Sequence, residues 1–247
     1  MLQRPKVLSI SGFDPSGGAG LTADLKTFET LKVYGLGVVT VNTIQTDKDF
    51  KDCIWTDVKV IQSQIEMLFQ RFQIDVVKIG LIENWKVLEF VINLLIEKNP
   101  NVKIVLDPIL KSSTNYSFHQ ASNGFHSLLD KIFLLTPNYL EFQQLFPDKN
   151  KENIPGIVEG KTNIILKGGH NNTNIGTDQL FDSDGNIYVF HPSSSDCSEK
   201  HGSGCVLASS IAAYMALGKP LDIACNMGKQ YTERFLASNN SLLGYHS

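Results

Sequence analysis

The run KHGSGCVLASSIAAYMALG, residues 200–218, sets two glycines, a serine and a thiol directly ahead of an apolar helical stretch. The first-turn amides of a helix have no intrahelical acceptor, and glycines let an anion approach them closely, so the segment suits a phosphate group. In that reading Gly202, Ser203 and Gly204 surround a transferring phosphoryl group, the helix dipole offsets charge gathering on its oxygens, and Cys205 stands beside it. Taken alone, the segment is explained equally well by packing: the glycines permit a tight turn and Cys205 is a small buried hydrophobe.

A second glycine-rich segment, GFDPSGGAG at residues 12–20, follows a predicted strand and opens a predicted helix, so Gly17, Gly18 and Gly20 can offer a close-approach backbone surface. It is neither a dinucleotide fingerprint nor a P-loop. No GK[ST] ends it, and no acidic residue stands at the end of the next strand to hold a ribose. Asp24 lies early in the following helix, where it either complements the dipole or touches a ligand. Gln45 stands at the carboxyl end of the second predicted strand, where an amide with donors and an acceptor can read the edge of a heterocycle. VLDP at 105–108, TPN at 136–138 and ILKGGH at 165–170 each follow a further predicted strand. Asp107 and Glu141 can organise Mg²⁺ through water, and Lys167 can neutralise phosphate oxygens, which are the parts phosphoryl transfer requires.

What positions these residues is legible in the alternation of hydrophobic patterns. Residues 6–11 form a β-branched run, after which Leu21, Leu25, Phe28 and Leu31 recur at helical spacing. Strands are predicted over 37–44, 75–79, 103–106, 132–136 and 163–167, with helices through Ile61, Ile65, Leu68 and Phe69 and over 85–97. Near-continuous apolar runs suit strands covered on both faces. The expected fold is therefore α/β, with a mainly parallel central sheet, helices on both faces and ligands beyond the carboxyl ends of the strands. Residues 178–181 and 186–190 flank DSDG, a hairpin signal that predicts an antiparallel edge. Helices over 206–217 and 221–237 close the chain, separated by Gly218 and Pro220. Residues 150–160 read as a connector able to hide a short helix.

At 247 residues the chain can bury a full core, and one domain over 1–247 is expected. With 42% hydrophobic and 19% charged residues the composition is that of a soluble globular protein, and no apolar run is long enough for a bilayer. A net charge of −3 with dispersed Lys and Arg gives no cationic footprint for nucleic acid. The first residues lack the apolar segment and cleavage site of a signal peptide, so a cytoplasmic location is expected. Cys53, Cys197, Cys205 and Cys225 have neither CxxC spacing nor paired histidine motifs, which predicts reduced thiols and no zinc site.

Side by side, DPSGGAG with ADLKTF following, YG at 34–35, Gln45, KIG at 78–80, LDP, TPN, LKGGH and HGSGC make the sequence resemble the hydroxymethylpyrimidine and phosphomethylpyrimidine kinases of thiamine biosynthesis, in the ribokinase-like superfamily. These motifs span the chain in the family's order, which is far more specific than any one of them. The resemblance implies a ribokinase-like three-layer α/β/α sandwich, ATP along one part of the rim, and a pyrimidine alcohol near the N-terminal loop. It places Gly12, Asp24 and Gln45 in the substrate pocket and gives Lys167, Asp107 and Glu141 to ATP phosphates and magnesium. It makes Gly202, Ser203 and Gly204 the anion hole and puts Cys205 at the catalytic position. Many ribokinase relatives have an Asp there as the base. A helix N-terminus favours the thiolate and an adjacent triphosphate opposes it. The resemblance also implies a homodimer, since relatives are often dimers.

Three departures from the family's pattern stand out: Phe13 in place of a small or hydroxyl residue, Ser203 in place of Thr, and LKSST at 110–114 in place of a glycine-containing segment. The chain ends soon after its last predicted helix, so an abbreviated late segment near the nucleotide is expected. The expected activity is ATP-dependent phosphorylation of 4-amino-5-hydroxymethyl-2-methylpyrimidine, with its monophosphate as a second acceptor. The alternatives are a pyridoxal or pyridoxine kinase and a non-catalytic ligand-binding protein on the same fold.

Overall fold

The structure, a computed structural model, describes residues 4–110, 124–169, 175–193 and 197–247. LKSST beyond Leu110, and His170 of LKGGH, lie outside those residues. The elements run β1 (Lys6–Phe13), α1 (Gly20–Thr30), β2 (Tyr34–Gln45), β3 (Phe50–Trp55), α2 (Val58–Arg71), β4 (Val76–Ile79), α3 (Trp85–Lys98), β5 (Lys103–Leu106), β6 (Leu134–Leu135), α4 (Tyr139–Leu145), α5 (Ile154–Val158), β7 (Asn163–Leu166), β8 (Asp178–Phe181), β9 (Ile187–Phe190), α6 (Ser203–Ala216) and α7 (Leu221–Leu236).

All nine strands join one sheet in the order β3-β2-β1-β4-β5-β6-β7-β8-β9. The pairs from β2 through β7 are parallel, while β3, β8 and β9 run antiparallel at the two edges. Strand side chains alternate between faces, so each strand feeds two cores. Leu8, Ile10, Val77, Ile79, Ile104 and Leu106 face α2, α3, α4 and α5. Val7, Val76, Val105, Leu134 and Ile165 face α1, α6 and α7. The result is the expected three-layer α/β/α arrangement, and the continuous apolar runs belong to strands covered on both sides.

Two strands depart from the expectation, and the connector meets it. Residues 46–55 carry an unexpected hairpin arm: β3 returns along β2 through a turn in which the Thr46 amide bonds Asp49 O and the Thr46 hydroxyl accepts from the Lys48 and Asp49 amides. The polar TDKD run was the available signal, but exposed β3 lacks the buried alternation of its neighbours. The strand expected over 132–136 shrinks to Leu134–Leu135, although Phe133 and Thr136 still donate amides to β5 carbonyls. The connector at 150–160 does hold a short helix, α5, with proline in its first turn.

α6 begins at Ser203, three residues before the predicted helix, which brings the serine, glycine and thiol of HGSGC into its first turn. Gly202 caps it in the left-handed region at φ 80°, where a side chain would be strained. A Cβ there would also overlap the Gly18 carbonyl and lie 2.7 Å from Ala19 Cα. The glycines of the two loops are therefore needed for one loop to lie on the other.

Candidate active site

Because the strands from β1 to β7, other than the edge strand β3, run parallel, their carboxyl ends share one rim. In spatial order this rim carries Gln45 at the end of β2, Gly12 and Phe13 on β1, Leu81 after β4, Asp107 after β5, Asn138 after β6 and Lys167 after β7. These residues line a cleft of about 1140 Å³, together with Gly202, Ser203, Gly204 and Cys205 from the start of α6 and Glu141 from α4. That volume exceeds the ~300–1,000 Å³ of a single small-molecule pocket and leaves room for two ligands end to end.

At one end, Lys167 Nζ lies 3.1 Å from Asp107 Oδ1 and 3.6 Å from Glu141 Oε2. Thr136 donates to Asp107 at 3.2 Å, and Glu141 is held in a capping box in which it accepts the Asn138 amide at 2.7 Å and donates its own amide to Asn138. TPN thus fixes a carboxylate at the rim through a helix cap worth about 1 kcal/mol. Burial opposes charge on all three groups. For Lys167 the carboxylates outweigh it and hold the ammonium above its usual range, and for Asp107 the lysines Lys167 and Lys78 outweigh it and keep the carboxyl below its usual range. Burial wins at Glu141, with Asp107 adding to it, and its carboxyl is raised. Two carboxylates are too few for a protein-only cage, and among the described residues no group of three or more His, Cys, Asp or Glu is placed to hold a metal ion. They do fit Mg²⁺, which commonly keeps its waters and binds one or two carboxylates together with substrate phosphates.

Between that cluster and β1 lies the turn into α6. A Cβ on Gly204 would sit 3.4 Å from Lys167 Nζ, so the first-turn amides of α6 and the Lys167 ammonium face the same space. Cys205 is only 5% exposed, yet it lines the cleft. The backbone amide of Gly20, the first residue of α1, favours the Cys205 thiolate. Burial pushes the thiol up to about 12; Lys78 pulls against this, while Asp107 and Asp24 add to it. The free protein therefore carries Cys205 as the neutral thiol.

At the other end, Gln45 is half-buried and lines the cleft with Thr43, Phe13 and Phe50. The hairpin arm supplies Phe50. Phe13, the departure from the family's pattern, is 40% exposed and lines the cleft wall. Gly12 lines the same wall, and a Cβ there would meet Val41 Cγ1 at 2.8 Å.

Asp24 is a correction. It is fully buried on α1 and absent from the cleft wall: its carboxylate holds Lys78 Nζ at 2.9 Å and accepts the hydroxyls of Ser9 and Ser209. It sits beyond the first turn of α1, so it does not complement the dipole either. The glycines of the N-terminal loop also have packing roles, while Gly20 itself lines the cleft. A Cβ on Gly20 would run into the Gly12 carbonyl, and one on Gly18 would meet the His201 ring at 2.8 Å.

Two groups lining the cleft escaped the sequence reading. Asp14 accepts the Ser16 and Ala19 amides and lies 3.0 Å from His201 Nε2, bracing the N-terminal loop against the turn into α6. Farther along, Lys229 lies 3.2 Å from Asp178 and 3.3 Å from Glu233, which also accepts the Ser193 amide and hydroxyl. Only the D-P-S-G run and the i,i+4 pair Lys229–Glu233 hinted at them.

The sequence profile described as phosphomethylpyrimidine kinase matches residues 14–246. The hydroxymethylpyrimidine/phosphomethylpyrimidine kinase of Aquifex aeolicus (strain VF5) is 30% identical over 246 residues, covering 95% of each chain. The crystal structure of phosphomethylpyrimidine kinase from Clostridium difficile 630 superposes with a TM-score of 0.76 at 29% identity, over 93% of this chain and 98% of that one. The pyridoxal kinase of Staphylococcus aureus in complex with pyridoxal gives a TM-score of 0.81 at 25% identity, over 95% and 88%.

Proposed function

The chain belongs to the phosphomethylpyrimidine kinase family, and from that premise we propose that it transfers the γ-phosphoryl group of ATP to the hydroxymethyl oxygen of 4-amino-5-hydroxymethyl-2-methylpyrimidine, with the resulting monophosphate as a second acceptor, in thiamine biosynthesis. The observation that carries this reading is the order of groups along one cleft. An amide able to read a ring edge stands at the β2 end, a cation with two carboxylates at the β7 end, and a thiol beside first-turn amides between them.

Gln45, Gly12 and the aromatic wall hold the pyrimidine so that its hydroxymethyl group points along the rim toward Cys205. Lys167 meets the phosphate oxygens, and the Gly204 and Cys205 amides, with Gly202 and Ser203 shaping the turn, receive the charge of the transferring group. Asp107 and Glu141 would hold Mg²⁺ through water, and the ion would draw charge from the phosphate oxygens. The hydroxymethyl oxygen bonds to the γ-phosphorus as the bond to the β,γ-bridging oxygen breaks, and ADP leaves. The hydroxyl proton goes to the Cys205 sulfur. Since the resting group is a thiol, it must first lose its own proton to solvent, and the reactive fraction grows with pH.

ADP release with the alcohol and with its monophosphate tests the assignment. Turnover with either supports it, and silence with both in a protein that binds ATP rejects it. A second reading, pyridoxal kinase, is favoured by the closer superposition on the Staphylococcus aureus enzyme. The sequence profile and the curated relatives favour the pyrimidine. A kcat/KM for pyridoxal above that for the pyrimidine alcohol would reverse this order. A non-catalytic role on the same fold requires that ATP bind without turnover on any of these alcohols.

Among the described residues no helix is long and apolar enough to cross a membrane. A cytoplasmic location and a homodimer complete the proposal, and size measurement in solution tests the latter.

A further inference from the structure

Resting on the proposed role of Cys205, we propose that Lys78, pinned by Asp24, is the buried cation that sustains the Cys205 thiolate, making it a positioning residue for the proton transfer although no substrate touches it.

The placement follows from matched turns. Gly20 and Asp24 are one turn apart on α1, and Cys205 and Ser209 are one turn apart on α6. Asp24 accepts the Ser209 hydroxyl, and Cys205 lies one turn ahead of Ser209 on α6, so the thiol stands one turn above the Asp24 carboxylate. Lys78 comes from β4, opposite Ser9 on β1, and side chains at these positions face α6. Its stem carries the ammonium toward the rim: a Cβ on Gly80 would lie 2.8 Å from Lys78 Nζ. Gly80 is one residue beyond the pairing of Ile79 with Leu106, at the level of Asp107. The cation therefore stands just under the cleft floor. Ser11 Oγ, buried and without a hydrogen-bond partner, faces the same point.

A packing role explains this poorly. Lys78 and Asp24 are both fully buried, and such a pair contributes little or nothing against apolar residues of equal volume. Its charge has a use where an anion forms close by. The charged groups facing the sulfur are Lys78 from β4, Asp24 from α1, Asp107 from β5 and Lys167 after β7, and Lys78 contributes the largest favourable interaction with the thiolate. His201, ahead of α6, is paired with Asp14.

The test is the rate of Cys205 carbamidomethylation by iodoacetamide at pH 8, resolved from Cys53, Cys197 and Cys225 by peptide mass spectrometry. Asp24→Asn leaves the cation with one anion fewer beside it, and the rate rises at least about threefold, the net of a larger thiolate fraction and weaker nucleophilicity. Asp24→Asn with Lys78→Met removes the pair without leaving a lone charge, and the rate falls at least about threefold. In the same double variant kcat falls at least about tenfold while KM for ATP stays within about twofold. Opposite signs support the proposal, since general loosening of the fold would speed alkylation in both. Equal or unchanged rates in folded variants overturn it. If the double variant does not fold, Asp24→Asn alone decides, and no acceleration overturns it. Full turnover in Cys205→Ala would instead remove the base role while leaving the alkylation result to report on Lys78.

Discussion

Gly202→Ala concentrates the reasoning about the two loops into one methyl group. At φ 80° an alanine pays about 1–2 kcal/mol for the left-handed conformation alone. Its Cβ would also lie 2.7 Å from Ala19 Cα and overlap the Gly18 carbonyl, against the ~3.5–4.0 Å at which carbons sit comfortably. Both obstacles are backbone, and the Gly18 loop is held by Asp14, so the turn into α6 must retreat by roughly 1 Å. Crowding of this kind costs about 1–3 kcal/mol, and the sum, about 2–5 kcal/mol, corresponds to a fall in melting temperature of at least ~4 °C for a chain of this size. The same retreat moves the first-turn amides off the transferring phosphoryl group. A misplacement near 1 Å costs about 10²-fold, the scale of losing one oxyanion donor. Coupled ADP release should show kcat lowered ~10²-fold. Gly185→Ala is the control: at φ 89° in the β8–β9 turn, with nothing near its Cβ, it carries the conformational strain without the clash. It should lose about 1–2 kcal/mol and keep its kcat. A Gly202→Ala enzyme with kcat within threefold of the parent, or equal losses in both variants, would refute the argument.

Other consequences are as direct. Cys205→Ala should lower kcat by ~10²-fold or more while ATP binding, followed by calorimetry, stays within a few-fold, because the lost group meets the hydroxyl and not the nucleotide. Lys167→Ala should raise KM for ATP at least ~10-fold and lower the melting temperature, since Asp107 and Glu141 would then face each other without their cation; Asp107→Asn in the same chain should recover part of the stability. The thiol is pushed up to about 12 in the free protein and the reactive form is deprotonated, so log kcat/KM should climb by about one per pH unit from pH 6 to 9. A flat profile across that range would show that the thiol of the free protein is already ionised there or that another group takes the proton.

Most of the strands, the mainly parallel sheet and both layers of helices were legible in the sequence because they follow from local alternation, and local alternation is what the chain spells out. So were Gln45, Asp107, Lys167 and the turn at 202–204, since a residue just after a parallel strand has nowhere to go but the common rim. The fate of Asp24 was not legible. Its place early in a helix said nothing of Lys78, 54 residues on, and only the packing of β4 under α1 brings the two together. The arm at β3 escaped for a related reason: an exposed edge strand buries neither face and so carries no period. The charge on Cys205 belongs to the same class. Sequence places the thiol in a helix's first turn, whereas its protonation depends on how much water is excluded and which charges lie within a few ångströms, and those are properties of the folded cleft.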